Sequence, residues 1–184
     1  MNEVVKIPSL SELVTDTEMT LKQNALMVIL NQEPPKEWLV NHPMITGYRY
    51  LPIERVEYLL TRIFGKWWVE IKNVQQVANS MVVTVRVHVV NPLTGEVDWQ
   101  DGVGAQSIQT DKGAGAMDWN AAKADGVQKA VPSAETYAIK DACDKFGKIF
   151  GKDVSRKNQI SYNKLLKTKE ENLVKTEEHG NAIN

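Results

Sequence analysis

Aromatic and basic side chains crowd together over one short stretch of this chain. Tyr48-Arg49-Tyr50 is followed by Arg55, Tyr58, Arg62, Lys66, Trp67 and Trp68. Cations for phosphates and flat rings for bases are what a single nucleic-acid strand asks of a protein. A plainer reading fits the same residues. Arg55 and Arg62 could pair with Glu54 or Glu57 on a solvated face, and at least one of Trp67 and Trp68 reads as a core or interface ring. More cations follow at Lys140, Lys145, Lys148, Lys152 and Arg156. Asp141–Lys145 and Asp144–Lys148 are spaced for i,i+4 ion pairs, so Lys140 is the least committed of them.

Catalytic signatures are scarce. His42, His88 and His179 are far apart, and a single cysteine, Cys143, rules out a paired-cysteine zinc site and an internal disulfide. Cys143 sits in an apolar stripe and reads as a small core hydrophobe. Gly102-Val103-Gly104 and Gly113-Ala114-Gly115 do not run on into Gly-Lys-Ser/Thr, so neither is a nucleotide phosphate loop. Asp98, Asp101, Asp111 and Asp118 leave a metal-dependent nuclease open as an alternative. The sequence thus implies no cofactor and no enzyme.

The net charge of −1 is unusual for a nucleic-acid binder, but its distribution matters more. Residues 1–38 hold three basic and six acidic groups, whereas residues 152–184 hold seven and five. A binding track must come from local placement and from several copies assembled together. No apolar run approaches a membrane span and no leader pattern opens the chain, so a cytoplasmic location is expected.

The elements that would position these groups follow from periodicity. Residues 16–30 read as a helix ended by Pro34-Pro35, with a short helix from Pro35 through Trp38 and Leu39. Pro52 starts a second helix over 52–64, with Ile53, Val56, Leu60, Ile63 and Phe64 as its apolar stripe and Gly65 as its stop. From Trp67 the period switches to two. Val83, Val85, Val87 and Val89 take one face while Thr84, Arg86 and His88 take the other. Asn91 to Gly95 is turn chemistry, and Val97, Trp99, Asp101 and Val103 continue a third strand. Residues 110–131 read as a long loop with a short helix at 120–124. Pro132-Ser133 signals a long helix over 133–150, with Ile139, Cys143, Phe146 and Phe150 as its stripe. The fold class is α+β, a three-stranded antiparallel meander packed against a long helix. The expected division is an N-terminal helical segment at 1–40, a core at 41–152 and a polar tail at 153–184.

Three blocks, in order, resemble the Rad-fifty-two family of single-strand annealing proteins. They run from Tyr50-Leu51-Pro52-Ile53-Glu54-Arg55 to Phe64-Gly65-Lys66-Trp67-Trp68, from Val83 through Gly95 to Gly102-Val103-Gly104, and from Ala134 through Lys140 to Phe146-Gly147 and Gly151. The second block is similar to the family's hairpin, whose last strand ends in a glycine-rich turn. The resemblance implies a β-β-β-α annealing fold in oligomeric rings, with a cationic groove that holds a strand backbone inward and bases outward. Arg55 matches the family's groove arginine and Lys140 its groove lysine. Further family arginines on the long helix fall here on Asp141 and Asp144.

The resemblance also implies a function. The chain is expected to bind single-stranded DNA and anneal complements without ATP in recombination and repair, as a bacteriophage-type recombinase. Arg55, Lys140, Arg62, Lys66, Lys145, Lys148, Lys152 and Arg156 are the candidate DNA contacts. The expected partners are single-stranded DNA, further copies of the chain in a ring or filament, and a host single-strand-binding protein or a phage exonuclease. A binding protein that does not anneal is the alternative.

Overall fold

Three long strands of equal length form the centre of the chain. The structure, a computed structural model, describes residues 17–42, 45–115 and 118–155. The described residues up to Val154 belong to a first compact unit, which ends there. In the first unit the order is α1 (Thr17–Leu30), a 3-10 turn at Lys36–Trp38, β1 (Val40–Asn41), β2 (Arg49–Tyr50), α2 (Ile53–Phe64), β3 (Trp67–Val77), β4 (Ser80–Val90) and β5 (Val97–Ser107). A second 3-10 turn at Trp119–Ala121, α3 (Gly126–Asp144) and a third 3-10 turn at Lys148–Phe150 complete it. No described helix is long and apolar enough to cross a membrane.

The sheet is the expected antiparallel meander in the order β3-β4-β5. On β4, Val83, Val85, Val87 and Val89 are buried, and the residues between them are half-covered. Strict alternation on a sheet with one buried face produces this pattern. Asn91 Oδ1 accepts the Leu93 amide at 3.0 Å, and Gly95 adopts φ 74°, which closes the turn into β5. The α2 helix also follows its pattern. Pro52 precedes it, Gly65 closes it at φ 72°, and Val56, Leu59, Leu60 and Phe64 are buried.

The long helix differs from expectation at both ends. It spans Gly126–Asp144, with Pro132 as its seventh residue. Proline here deletes one helical donor without ending the helix, and the Ser133 hydroxyl donates to the Lys129 carbonyl at 2.9 Å. The loop before it is correspondingly shorter, tied by an isolated bridge between Thr110 and Ala122. The helix stops well short of Phe150. Beyond it Gly147 passes so close to α1 that a Cβ would lie 2.4 Å from the Leu30 carbonyl oxygen. Phe150 is still buried, but from the 3-10 turn rather than from a continuous stripe.

The glycine pair also differs. Gly102 and Gly104 are not a turn at the strand's end; both lie within β5, facing α3. A Cβ on Gly102 would fall 2.0 Å from the Ala138 carbonyl oxygen, and one on Gly104 would fall 2.1 Å from that of Ala134. Ala134, Ala138 and Ala142 are fully buried against this stretch. Small residues on both layers let helix and sheet backbones approach closely, which fixes α3 over β4 and β5. Cys143 is buried beside them, as a core residue.

Candidate nucleic-acid interface

Burying one stripe of α2 leaves Arg55, Tyr58 and Arg62 on its outer side, all exposed. The 3-10 turn after Pro34-Pro35 brings Trp38 up to them. The Arg55 guanidinium lies 5.0 Å from the centre of the Trp38 ring, and Tyr58 meets that ring edge-on at 5.8 Å. Among the described residues no ion pair engages Arg55, Arg62 or Lys66, so the expected pairing to Glu54 or Glu57 is not formed. Nothing in the sequence pointed to Trp38, which is 17 residues from Arg55 and reads simply as an apolar residue of a short helix.

A cleft of about 820 Å³ opens next to this face, between the start of α2, the β1–β2 hairpin and α3. Lys140 is its cation. The ammonium sits 4.3 Å from the centre of the Tyr50 ring. Burial lowers the Lys140 pKa, while the nearby Asp144 and Glu54 carboxylates act in the opposite sense. Asp144 also lines the cleft, and its burial raises its pKa to about 7 despite Lys140 beside it. Asp141 is committed elsewhere. Its carboxylate accepts the Val103 amide at 3.1 Å and the Lys145 ammonium at 3.0 Å.

The remaining basic candidates separate clearly. Lys145 forms the expected pair with Asp141 and also donates to the Asp101 carbonyl, so it fastens α3 to β5. Lys148 does not pair with Asp144. It is 9% exposed and donates to Glu33 at 2.8 Å, beneath α1. Its ammonium is thus engaged by Glu33 rather than by the expected Asp144, because the chain leaves the helix before reaching it. Lys152 is exposed, close enough to Asp144 to lower its pKa. Arg156 lies outside the described residues.

Aromatics and cations also meet on the sheet face opposite α3. Trp68, His88 and Trp99 are paired across the three strands, with Trp68 stacked on His88 at 4.8 Å. Trp67 instead packs against the core and donates its indole N–H to Thr61. On the open face the basic groups Arg86, Lys72 and His88 are engaged by two carboxylates. Arg86 holds Asp101 through two bonds of 2.7 and 2.9 Å and covers Trp99, while Glu70 takes both Lys72 and His88. Neutralised charge leaves little for phosphates, so the α2 face and the cleft are the better interface. The four aspartates of the nuclease alternative do not converge. Among the described residues no three His, Cys, Asp or Glu side chains are grouped to hold a metal ion.

A sequence model of the family described as Rad52/22 family double-strand break repair protein matches residues 22–173. The chain belongs to the Rad52/22 family. The match takes in α2, the meander and α3, the elements that build the α2 face and the cleft. Rad52/22 proteins are DNA repair and recombination proteins that bind single-stranded DNA, anneal it and self-associate. Comparison with curated proteins returned no match.

Proposed function

We propose that this Rad52/22 chain binds single-stranded DNA along the α2 face and anneals complementary strands without ATP, as a homo-oligomeric ring. The supporting observation is the array of Arg55, Trp38, Tyr58 and Arg62 beside the Lys140 cleft. It puts guanidinium groups free of ion pairs next to the half-buried Trp38 ring and the exposed Tyr58 ring, in a chain of an annealing family. Such a surface neutralises phosphates and offers stacking without reading sequence. Annealing itself is base pairing between strands, so the protein has only to hold one strand extended. The modest net charge means that copies must line up their cations into a track. We read the chain as a bacteriophage-type recombinase working in the bacterial cytoplasm, alongside a phage exonuclease or a host single-strand-binding protein.

The test is annealing of complementary labelled oligonucleotides, followed by energy transfer, with the Arg55→Ala/Lys140→Ala double variant. Annealing should slow several-fold. The slope of log affinity against log salt should shrink by about 0.7 for each phosphate that the variant no longer neutralises. A double variant that anneals at the wild-type rate refutes the assignment. A wild-type protein that binds strands but never anneals them would instead be a plain single-strand-binding protein.

A further inference from the structure

Two acids stand on α3 where the sequence likeness leads one to expect arginines, and their surroundings differ. Asp141 is neutralised, since it accepts from the Lys145 ammonium and the Val103 amide. Asp144 has no such partner. It lies one helical turn beyond Lys140, half-buried in the wall of the same cleft, and among the described residues no hydrogen bond or ion pair engages its carboxyl group. Its charge therefore bears directly on Lys140, the one lysine or arginine of that wall among the described residues. The remaining walls are largely aromatic, with Tyr48 and Tyr50 on the hairpin side and Tyr137 on α3. Other charged and titratable groups approach Asp144 from several elements. Lys140 and Asp141 share its helix, and Lys152 and Asp153 follow the third 3-10 turn. Glu54 and Glu57 belong to α2, and His42 reaches the cleft from the β1–β2 hairpin. Burial outweighs the two lysines and raises the Asp144 pKa to about 7.

We infer that Asp144 makes strand binding proton-linked: its carboxylate takes up one proton from solvent as a phosphate settles at Lys140, and the strand is released when that proton is lost. The inference rests on the reading that the chain binds single-stranded DNA, and it names how that site is regulated. The sign follows from the geometry. A phosphate on Lys140 brings negative charge beside Asp144, and like charge disfavours ionisation, so the bound strand makes the carboxyl group hold its proton more tightly. By reciprocity the proton makes the chain hold the strand more tightly. At alkaline pH the free chain carries a carboxylate that repels the phosphate and competes for Lys140. At mildly acid pH the group is neutral, and Lys140 meets the phosphate unopposed. Affinity thus climbs as pH falls through about 7, with a limit of about tenfold per pH unit for one proton taken up at each seated phosphate. Asp141 adds nothing to this slope because Lys145 holds its charge in place. An arginine at this position would grip phosphate at any pH; an aspartate makes the grip conditional on a proton.

The experiment uses the full chain and a dye-labelled oligothymidine, whose bases do not titrate between pH 6 and pH 8. Anisotropy at one low ionic strength gives the affinity at pH 6, 7 and 8, and far-UV circular dichroism confirms the fold at each. Wild type should bind several-fold more tightly at pH 6 than at pH 8. Asp144→Asn should bind at pH 8 about as tightly as wild type does at pH 6, and most of its slope should be gone. His42→Gln should keep the slope, which separates the two titratable groups. Calorimetric titrations at pH 7 in two buffers of different ionisation enthalpy count protons directly. Wild type should take protons up on binding, and Asp144→Asn should take up fewer, a change that a merely structural role would not produce. An affinity that is the same from pH 6 to pH 8 overturns the inference while leaving strand binding standing. An undiminished slope in Asp144→Asn, or a slope that disappears in His42→Gln, overturns it as well. No rise in anisotropy at any pH would remove strand binding itself, and the inference with it.

Discussion

Gly104→Ala is the sharpest test of how the long helix is held. The added methyl would sit 2.1 Å from the Ala134 carbonyl oxygen and 2.4 Å from the Ala138 nitrogen, against an ordinary contact of 3.4 Å. Both neighbours are backbone, so no flexible side chain can swing aside. The helix must retreat by about 1.3 Å, the difference between 3.4 and 2.1 Å. That separates Ala134 and Ala138 from Val83 and Val85 where the two layers meet. Forcing a methyl into a packed core costs ~1–3 kcal/mol, and a rigid backbone neighbour puts this site at the upper end. For a chain of this length, ~3 kcal/mol corresponds to a melting temperature lower by ~6–12 °C. Circular dichroism at 222 nm during heating measures it, with a urea titration to check that the transition stays cooperative. Gly115→Ala is the control, since among the described residues no atom outside its chain neighbours lies within 4 Å of its Cβ position and its φ is not positive. It should stay within ~0.5 kcal/mol of wild type. If Gly104→Ala melts with the wild type, α3 is not seated on the glycine pair and the packing argument fails.

Lys148→Met should leave strand affinity and its salt slope unchanged, because that ammonium lies under α1 on Glu33 rather than on the binding face. Glu33→Ala should destabilise by ~1–3 kcal/mol by leaving the buried Lys148 unpaired, read from the urea midpoint. Asp144 gives a pH signature. Its folded pKa of about 7 lies above its ordinary 3.8, so the folded chain holds the proton longer than the unfolded one. Its contribution to stability is therefore full below pH ~4 and declines until pH ~7, by at most ~4 kcal/mol. Asp144→Asn should lose that decline and be the more stable form at pH 8, in paired urea titrations at pH 5 and pH 8. An identical pH slope in both proteins would refute the burial of Asp144. Trp38→Ala should weaken strand binding several-fold by anisotropy, through loss of the ring beneath Arg55, and should also lower the melting temperature, because that ring packs against the core.

What the sequence revealed was whatever repeats locally. The period of two through Val83 to Val89 and the apolar stripe of α2 mark their own faces, so β4 and α2 were legible almost to the residue. The Asn91–Gly95 turn was legible because its chemistry is local. Long-range pairing was not. Lys148 meets Glu33 115 residues away, and i,i+4 spacing gave Asp144 as the closer guess. The start of α3 was hidden because Pro132-Ser133 looks like an opening signal when nothing shows how well the preceding turns are held. The glycine pair reads locally as a turn, although Ala134, Ala138 and Ala142 recur every fourth residue. Gly-x-Gly on a strand together with such a stripe signals two backbones in close approach. As for the site, Arg55 and Lys140 came from the family likeness, whereas Trp38 and the aromatic cleft walls required the fold.

The position of Cys143 carries a practical consequence. Its thiol is fully enclosed between the helix and the strands, and desolvation pushes its pKa far above the usual range. A thiolate is what reacts with a maleimide, so the native chain should be almost inert to such reagents while folded. A cysteine introduced on the open side of α2 then becomes the one fast-reacting group, and a fluorophore can be attached there with the native residue left in place. Slow modification of the unaltered chain would, in turn, time how often its interior opens.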